Sequence, residues 1–284
     1  MGKISDTADP SVVILIIAHK ERISPYEVIS MRQCFKVLGH YPIKFISPEG
    51  MNVDQYLEII PGASFDFIPP YWQSSYMNYR ALRTLPFLFK RYQQYDYILF
   101  HELDAFVFRD ELMEWCRKGY SFIGAPFLKD WNFSRPDASF VGVGNGGFNL
   151  RKVVDHLRAI NSFSYIERPG KIWQRFKDAP LARKPYLFFD IVEKLTIRNN
   201  THPWFNDWMG KRSEDVFWGT IMNRNFEYFT VPDPLEALRF SFEVQPQNLY
   251  EFNNKKLPFG CHAWWRYDLN FWRPFICDYG YQIL

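Results

Sequence analysis

Two acids, Glu102 and Asp104, follow the run Tyr97-Ile98-Leu99-Phe100 and are flanked by further apolar residues. The run is rich in strand formers and reads as a buried central strand. In a strand, residues i and i+2 face one side. Two carboxylates on one face, at the edge of an apolar core, repel each other and lose hydration unless a cation or donors meet them. A divalent metal is the usual remedy, and hard Mn2+ or Mg2+ suits carboxylate oxygen. A strand end turning into solvent accommodates the same acids without a metal, so the pair gains meaning only beside other groups.

Several such groups are present. Ser213-Glu214-Asp215 reads as an N-cap followed by two acids in a first helical turn, a position the macrodipole favours on structural grounds alone. Residues 141–151 hold four glycines within seven positions, Gly142, Gly144, Gly146 and Gly147. Glycine at that density lets backbone amides approach a ligand closely, although the spacing is not the dinucleotide fingerprint and a bulged turn explains it equally. His262 stands alone among aromatics, where a satisfied core histidine is the ordinary finding. A polar cluster, His19-Lys20-Glu21-Arg22, ends the first apolar run.

The elements that must position these groups follow from periodicity. Residues 12–18 are apolar throughout, as a central parallel strand should be. Ser24-Pro25-Tyr26-Glu27 is a capping box with Pro at the first helical position, and Gly39 closes that helix. Strands are expected at 43–47 and 65–68, with a short helix from Asp54 between them. A helix is expected over 76–95, broken or kinked at Pro86. After the central strand come a helix capped by Asp110 and a short strand at 121–125. A helix follows the glycine-rich stretch, and Asp233-Pro234-Leu235-Glu236 starts another. Strands alternating with helices imply an α/β fold with a mostly parallel, doubly wound sheet. Ligands of such sheets sit beyond the carboxyl ends of the strands, where both 19–22 and 102–104 fall.

Composition narrows the classes. With 47% hydrophobic and 23% charged residues over 284 positions, the chain is an ordinary folded protein. Its net charge of +3 is too small to imply nucleic-acid binding. Aromatic content reaches 19%, which suits either sugar-stacking walls or, more simply, an aromatic core. Cys34, Cys116, Cys261 and Cys277 are scattered, which fits reduced thiols and a cytoplasmic protein. Residues 1–11 are polar and carry no signal-peptide pattern, and the apolar run at 12–18 is too short to span a membrane. The stretch 158–200 mixes basic residues with aromatics, which suits a solvated face, an acceptor cleft or contact with an anionic membrane at its inner face.

In their order these motifs resemble the GT-A fold glycosyltransferases, which move a sugar from a nucleotide-sugar donor to an acceptor. Glu102-Leu103-Asp104 stands where that family keeps an acid-x-acid metal motif, with Glu102 in place of the commoner Asp. Gly144-Asn145-Gly146-Gly147-Phe148 is similar to its glycine loop, and Glu214-Asp215-Val216-Phe217-Trp218-Gly219 to a motif whose acid is the catalytic base. His262 matches a late metal-binding histidine. More closely still, the patterns at 103–106, 145–148 and 258–262 resemble a bacterial and fungal family of domains of unknown function.

The resemblance implies a single domain, residues 1–284, with a nucleotide-binding half at about 10–130, an acceptor half at about 131–284 and a helical insertion near 158–212. It implies Asp104, His262 and Glu102 as ligands of Mn2+ or Mg2+. Expected nucleotide contacts are Ala18, His19, Lys20, Arg22, Arg80, Glu102, Leu103 and Asp104. Gly144, Asn145, Gly146, Gly147 and Trp264 are expected at the donor or acceptor sugar. Asp215, with Glu214 beside it, is expected as the base of an inverting transfer from a UDP-sugar to a glycan or lipid-linked glycan, in polysaccharide or lipopolysaccharide synthesis. Two rivals remain at this level: a metal-dependent phosphoester hydrolase, although the six histidines form no HxH or HxxxH cluster, and a non-catalytic glycan-binding protein.

Overall fold

A computed structural model of the chain describes residues 9–130, 138–162, 169–193 and 213–283. Its strands, in chain order, are β1 (Val12–Ile17), β2 (Ile43–Pro48), β3 (Phe65–Ile68), β4 (Tyr97–His101), β5 (Phe106–Val107), β6 (Phe122–Ile123), β7 (Pro126–Leu128), β8 (Phe140–Val143), β9 (Phe148–Lys152), β10 (Ser241–Phe242) and β11 (Gly260–Cys261). Six of them form the central sheet in the order β3-β2-β1-β4-β9-β6. The pairings among β3, β2, β1 and β4 are parallel. Those of β9 with β4 and β6 are antiparallel. The α/β, mostly parallel expectation therefore holds, with one addition: β9 lies in the segment from which the sequence pattern gave only glycines and a following helix.

Every residue of β1 and β4 is buried, and their side chains alternate between two cores. Val13, Leu15, Ile17, Ile98 and Phe100 face one side. Val12, Ile14, Ile16, Tyr97 and Leu99 face the other. The chain steps from β1 outward through β2 and β3, then returns to place β4 on the opposite flank of β1. A crevice opens at such a switch point, at the carboxyl ends of the two strands.

Local chemistry sets the helix ends. Pro25–Leu38 begins with the expected capping box, Ser24 Oγ accepting from Glu27 N and Glu27 Oε2 accepting from Ser24 N at 2.7 Å. The expected helix over 76–95 is two helices, Tyr76–Leu82 and Pro86–Arg91, because Pro86 has no N–H to continue the first and fits the first turn of the second. Asp233 caps Pro234–Phe240 with its side chain, as its sequence context implied.

A second, three-stranded sheet, β10-β11-β5, lies over a third core that includes Phe106, Phe242, Trp264 and Trp272. The aromatic richness is spent largely here and in the other cores: Trp218, Trp264 and Trp272 are fully buried. Among the described residues, no helix is long and apolar enough to cross a membrane. Of the helical insertion expected near 158–212, the helices Pro169–Asp178 and Lys184–Glu193 are described, while 163–168 and 194–212 lie outside the described residues.

Candidate active site

At the crevice lies a cavity of about 530 Å3, within the usual range for small-molecule sites. Its wall draws on loops from both halves of the chain: His19 and Lys20 after β1, Arg80 on the helix Tyr76–Leu82 and Arg83 at its C-terminal cap, Glu102 to Asp104 after β4, Gly146 and Gly147, Glu214 and Asp215, then Glu243, His262 and Arg266. Lys20 is tied down by Glu27, its Nζ 2.8 Å from the carboxylate that also completes the capping box.

The small sheet assembles one cluster. β10 runs parallel to β11, and β11 antiparallel to β5, so Glu243, His262 and Asp104 each leave or approach a strand at the same end. His262 Nε2 lies 3.1 Å from Asp104 Oδ1, and its Nδ1 lies 2.8 Å from Glu243 Oε1. Arg266 Nη2 reaches the other Asp104 oxygen at 3.1 Å. Burial alone would raise the Asp104 carboxyl, but His262 and Arg266 more than cancel it and hold it at about 2. Burial likewise opposes a charged imidazole at His262, and the two acids overcome it, lifting the ring to about 10.

This arrangement fits a divalent cation. With Nδ1–H donated to Glu243, the ring aims Nε2 at a carboxylate, and either a proton or a metal must lie between them. The 3.1 Å separation of Nε2 and Oδ1 also matches the edge of an octahedron whose bonds are about 2.1 Å. Two protein ligands are few: among the described residues, no three such side chains form a metal group. The remaining positions would fall to phosphate and water oxygens, as is common for Mg2+ at phosphate sites.

A second cluster is an ionic lattice. Arg83 bridges two acids, Nη1 3.2 Å from Glu102 Oε1 and Nη2 3.1 Å from Glu214 Oε1. Arg151, fully buried on β9, meets Glu214 at 3.4 Å and donates to Asn149 Oδ1 at 2.6 Å and to the Arg83 carbonyl at 2.6 Å. Burial would raise Glu214, but the two guanidinium groups outweigh it and hold the carboxyl below its usual range. Tyr79 O–H also donates to Glu102. Glu102 is thus committed to Arg83 and Tyr79 rather than to the Asp104–His262 pair. The reason is local: β4 ends at His101, and a turn closed by Ala105 N to Glu102 O at 3.0 Å turns the two acids toward different partners.

Two charged groups lining the cavity stand outside these two clusters. Arg80 is only 5% exposed, and its Nε and Nη2 have no hydrogen-bond partner among the described residues; the Tyr76 ring lies 5.6 Å away. Asp215 is the counterpart among the acids: no cation among the described residues contacts it. Its Oδ2 accepts Asn145 N at 3.1 Å and its Oδ1 accepts Val216 N at 2.8 Å. Burial and the neighbouring Glu214 charge raise its carboxyl to about 6. The expected pull of the helix start is outweighed, in part because only Glu214–Val216 is α-helical before a π-helical stretch, Phe217–Met222, takes over.

The glycines serve close approach to side chains. A Cβ on Gly147 would sit 1.9 Å from the His262 imidazole, and one on Gly146 would sit 3.0 Å from Glu214 Oε1. Asn145, at φ 82°, occupies the left-handed region that Asn tolerates, and its Oδ1 accepts Gly147 N at 2.8 Å.

Of the residues expected from sequence, His19, Lys20, Arg80, Glu102, Leu103, Asp104, Gly146, Gly147, Glu214, Asp215 and His262 line the cavity. Five are placed elsewhere. Trp264 is core: its ring packs on Tyr26 and Trp265 and its N–H donates to Ser30 Oγ at 3.0 Å. Ala18 is fully buried behind the cavity, and Arg22 is exposed beside it. Gly144 packs on the Phe127 ring, and Asn145 is a buried brace for the loop. Tyr79, Arg83, Arg151, Glu243 and Arg266 were missed. Tyr76, Tyr79, Arg80 and Arg83 recur at helical spacing, a polar stripe that sequence could have flagged.

A family model described as "Protein of unknown function (DUF5672)" matches residues 62–262. No curated protein matches the sequence. Among solved structures, the chain is similar to mouse xyloside xylosyltransferase 1 in its apo form, with TM-score 0.46, 11% identity, and coverage of 90% of this chain and 97% of that one. It is similar to the WbbM bifunctional glycosyltransferase with TM-score 0.44, 14% identity and coverage of 92% and 47%, so it spans about half of that chain. Core-mannan synthase A from Aspergillus fumigatus, in a Mn/GDP form, gives TM-score 0.41, 10% identity and coverage of 78% and 71%. At these scores the likenesses carry no argument for this chain, whose reading rests on its cleft.

Proposed function

The chain belongs to the DUF5672 family, proteins of unknown function, and from its cleft we propose that it is a glycosyltransferase moving a sugar from a nucleotide-sugar donor to a glycan hydroxyl. The observation that carries the reading is the convergence, at one crevice, of the Asp104–His262 pair, a buried Arg80 whose Nε and Nη2 have no hydrogen-bond partner among the described residues, and an acid, Asp215, that no cation among those residues contacts.

Each has a task. Asp104 and His262 would hold Mn2+ or Mg2+, which supplies positive charge to the diphosphate leaving group. Arg80 and Lys20 donate to phosphate oxygens, where negative charge builds as the sugar–phosphate bond breaks. Asp215 accepts the proton of the acceptor hydroxyl as its oxygen bonds to the anomeric carbon. The electron pair of the broken C–O bond leaves with the nucleoside diphosphate. A carboxyl near 6 is a competent base at neutral pH, whereas Glu214, neutralised by two arginines, is better suited to holding Arg83 and Arg151 in position. Attack from the Asp215 side, opposite the diphosphate, gives inversion.

The reading includes a UDP-sugar as favoured donor and a glycan or lipid-linked glycan as acceptor, in polysaccharide or lipopolysaccharide synthesis, within a single domain. Four free cysteines, three of them buried, support a reducing cytoplasmic setting. Incubating the protein with Mn2+ and a panel of nucleotide sugars, and measuring nucleoside diphosphate release with and without glycan acceptors, tests it. Acceptor-dependent release that Asp215→Ala abolishes is the expected result. Release at the same rate without acceptor would point to a hydrolase, and tight glycan binding with no nucleotide affinity to a lectin.

A further inference from the structure

The helices Pro169–Asp178 and Lys184–Glu193 pack on each other and are joined through the turn Leu181–Arg183. Each is tacked down by one buried apolar residue, Ile172 and Ile191. Much of their remaining apolar surface faces outward: Leu181 is 83% exposed, Tyr186 81% and Phe189 73%, and Trp173 and Phe188 are half exposed. Exposed apolar side chains gathered on one helical pair in this number mark an interaction surface.

Its charge identifies the occupant. Between Pro169 and Phe189 lie Lys171, Arg175, Lys177, Arg183 and Lys184 against one acid, Asp178, with Asp190 and Glu193 following in the sequence. Lys177 lies over the Trp173 ring at 5.9 Å, and Lys184 over Phe176 at 5.8 Å. A groove of about 610 Å3 between the helices is edged by Lys171, Arg175 and Arg183. Protein interfaces are depleted in lysine at their cores. Lysines threaded among Trp, Phe, Tyr and Leu are the pattern of a surface lying in the headgroup layer of a bilayer, where stems bury and charged heads meet lipid phosphate. We propose that this helical pair docks the protein onto an anionic lipid membrane, its exposed aromatics and Leu181 entering the interface and its cations meeting the headgroups. None of these residues lines the cleft, so the proposal does not depend on the catalytic reading.

Flotation of the full chain with vesicles tests it, using pure phosphatidylcholine against equal parts phosphatidylcholine and phosphatidylglycerol. The protein should float with the anionic vesicles and not with the neutral ones, and added salt should weaken the association. Leu181→Ser combined with Phe189→Ser should weaken binding about tenfold or more by removing the burial of both side chains. Lys177→Glu with Arg183→Glu should do so independently. Circular dichroism and the melting temperature of both variants should match the parent. The proposal is overturned if the parent floats with neither vesicle, floats equally with both, or binds unchanged in the two variants. A parent dimer that these substitutions convert to a monomer would assign the face to a second copy and overturn it equally.

Discussion

Glu243 Oε1 lies 2.8 Å from Nδ1 of His262, on the side of the ring away from Asp104. The contact fixes which nitrogen faces the cleft and makes the imidazole a better electron donor, as carboxylates behind metal-bound histidines do. Glu243→Gln keeps an acceptor in place and removes its charge. Mn2+ affinity by isothermal calorimetry should then fall about 10- to 100-fold. Unchanged affinity would take Glu243 out of the account.

Asp215 gives a pH signature. Its carboxyl, ordinarily below 4, is raised to about 6 in the folded chain by burial and the Glu214 charge. Below that pH it holds a proton and cannot act as base, so the rate should rise through about pH 6 and level above it. Stability runs the other way: a raised carboxyl favours folding at low pH, and that contribution is lost as pH rises through 6. Asp215→Asn should therefore lose turnover by about 10²- to 10⁴-fold while melting no lower than the parent at pH 7. Steady-state rates and a melting curve on one preparation separate the two effects.

Glu214 should be a stability residue. Removing its charge by Glu214→Gln leaves Arg83 and Arg151 buried with too little negative charge between them. Breaking buried pairs in this way costs about 3–5 kcal/mol, readable by denaturant unfolding. A loss below 1 kcal/mol would mean that Glu102 alone satisfies the lattice.

Gly147→Ala inserts a Cβ 1.9 Å from an imidazole that Asp104 and Glu243 hold on both sides. The ring must move, so Mn2+ binding and turnover should drop together while near-ultraviolet circular dichroism of the aromatic cores persists. Gly170→Ala, with nothing within 4 Å, is the matched control and should change neither.

Strands β1 to β4, the capping box at Ser24 and the cap at Asp233 were legible because each rests on local signals: short runs that are apolar or alternate apolar with polar, or a polar side chain one turn from the amide it accepts. Asp104, His262 and Asp215 were singled out through motif order, and the fold brings all three to one cavity. Glu243 escaped because a lone acid between Phe242 and Val244 has no meaning until β10 is laid beside β11. Strand β9 escaped for a related reason. Its alternate residues Asn149 and Arg151 are polar, the pattern of a solvent face, yet both are buried to serve the glycine loop and Glu214. Trp264 shows the opposite error: an aromatic beside a site histidine reads as a sugar platform, but its ring is needed by the core under the small sheet.

The central claim is that Asp104 and His262 jointly hold a divalent ion under a sugar nucleotide's diphosphate. Titrating UDP into the protein by calorimetry, with Mn2+ and then with a chelator, tests it most directly, alongside Asp104→Asn and His262→Ala. The account predicts binding that needs Mn2+ and that each substitution abolishes while Asp215→Asn leaves it intact. UDP and GDP both failing to bind under any condition, or binding equally well with chelator present and in both variants, would contradict it.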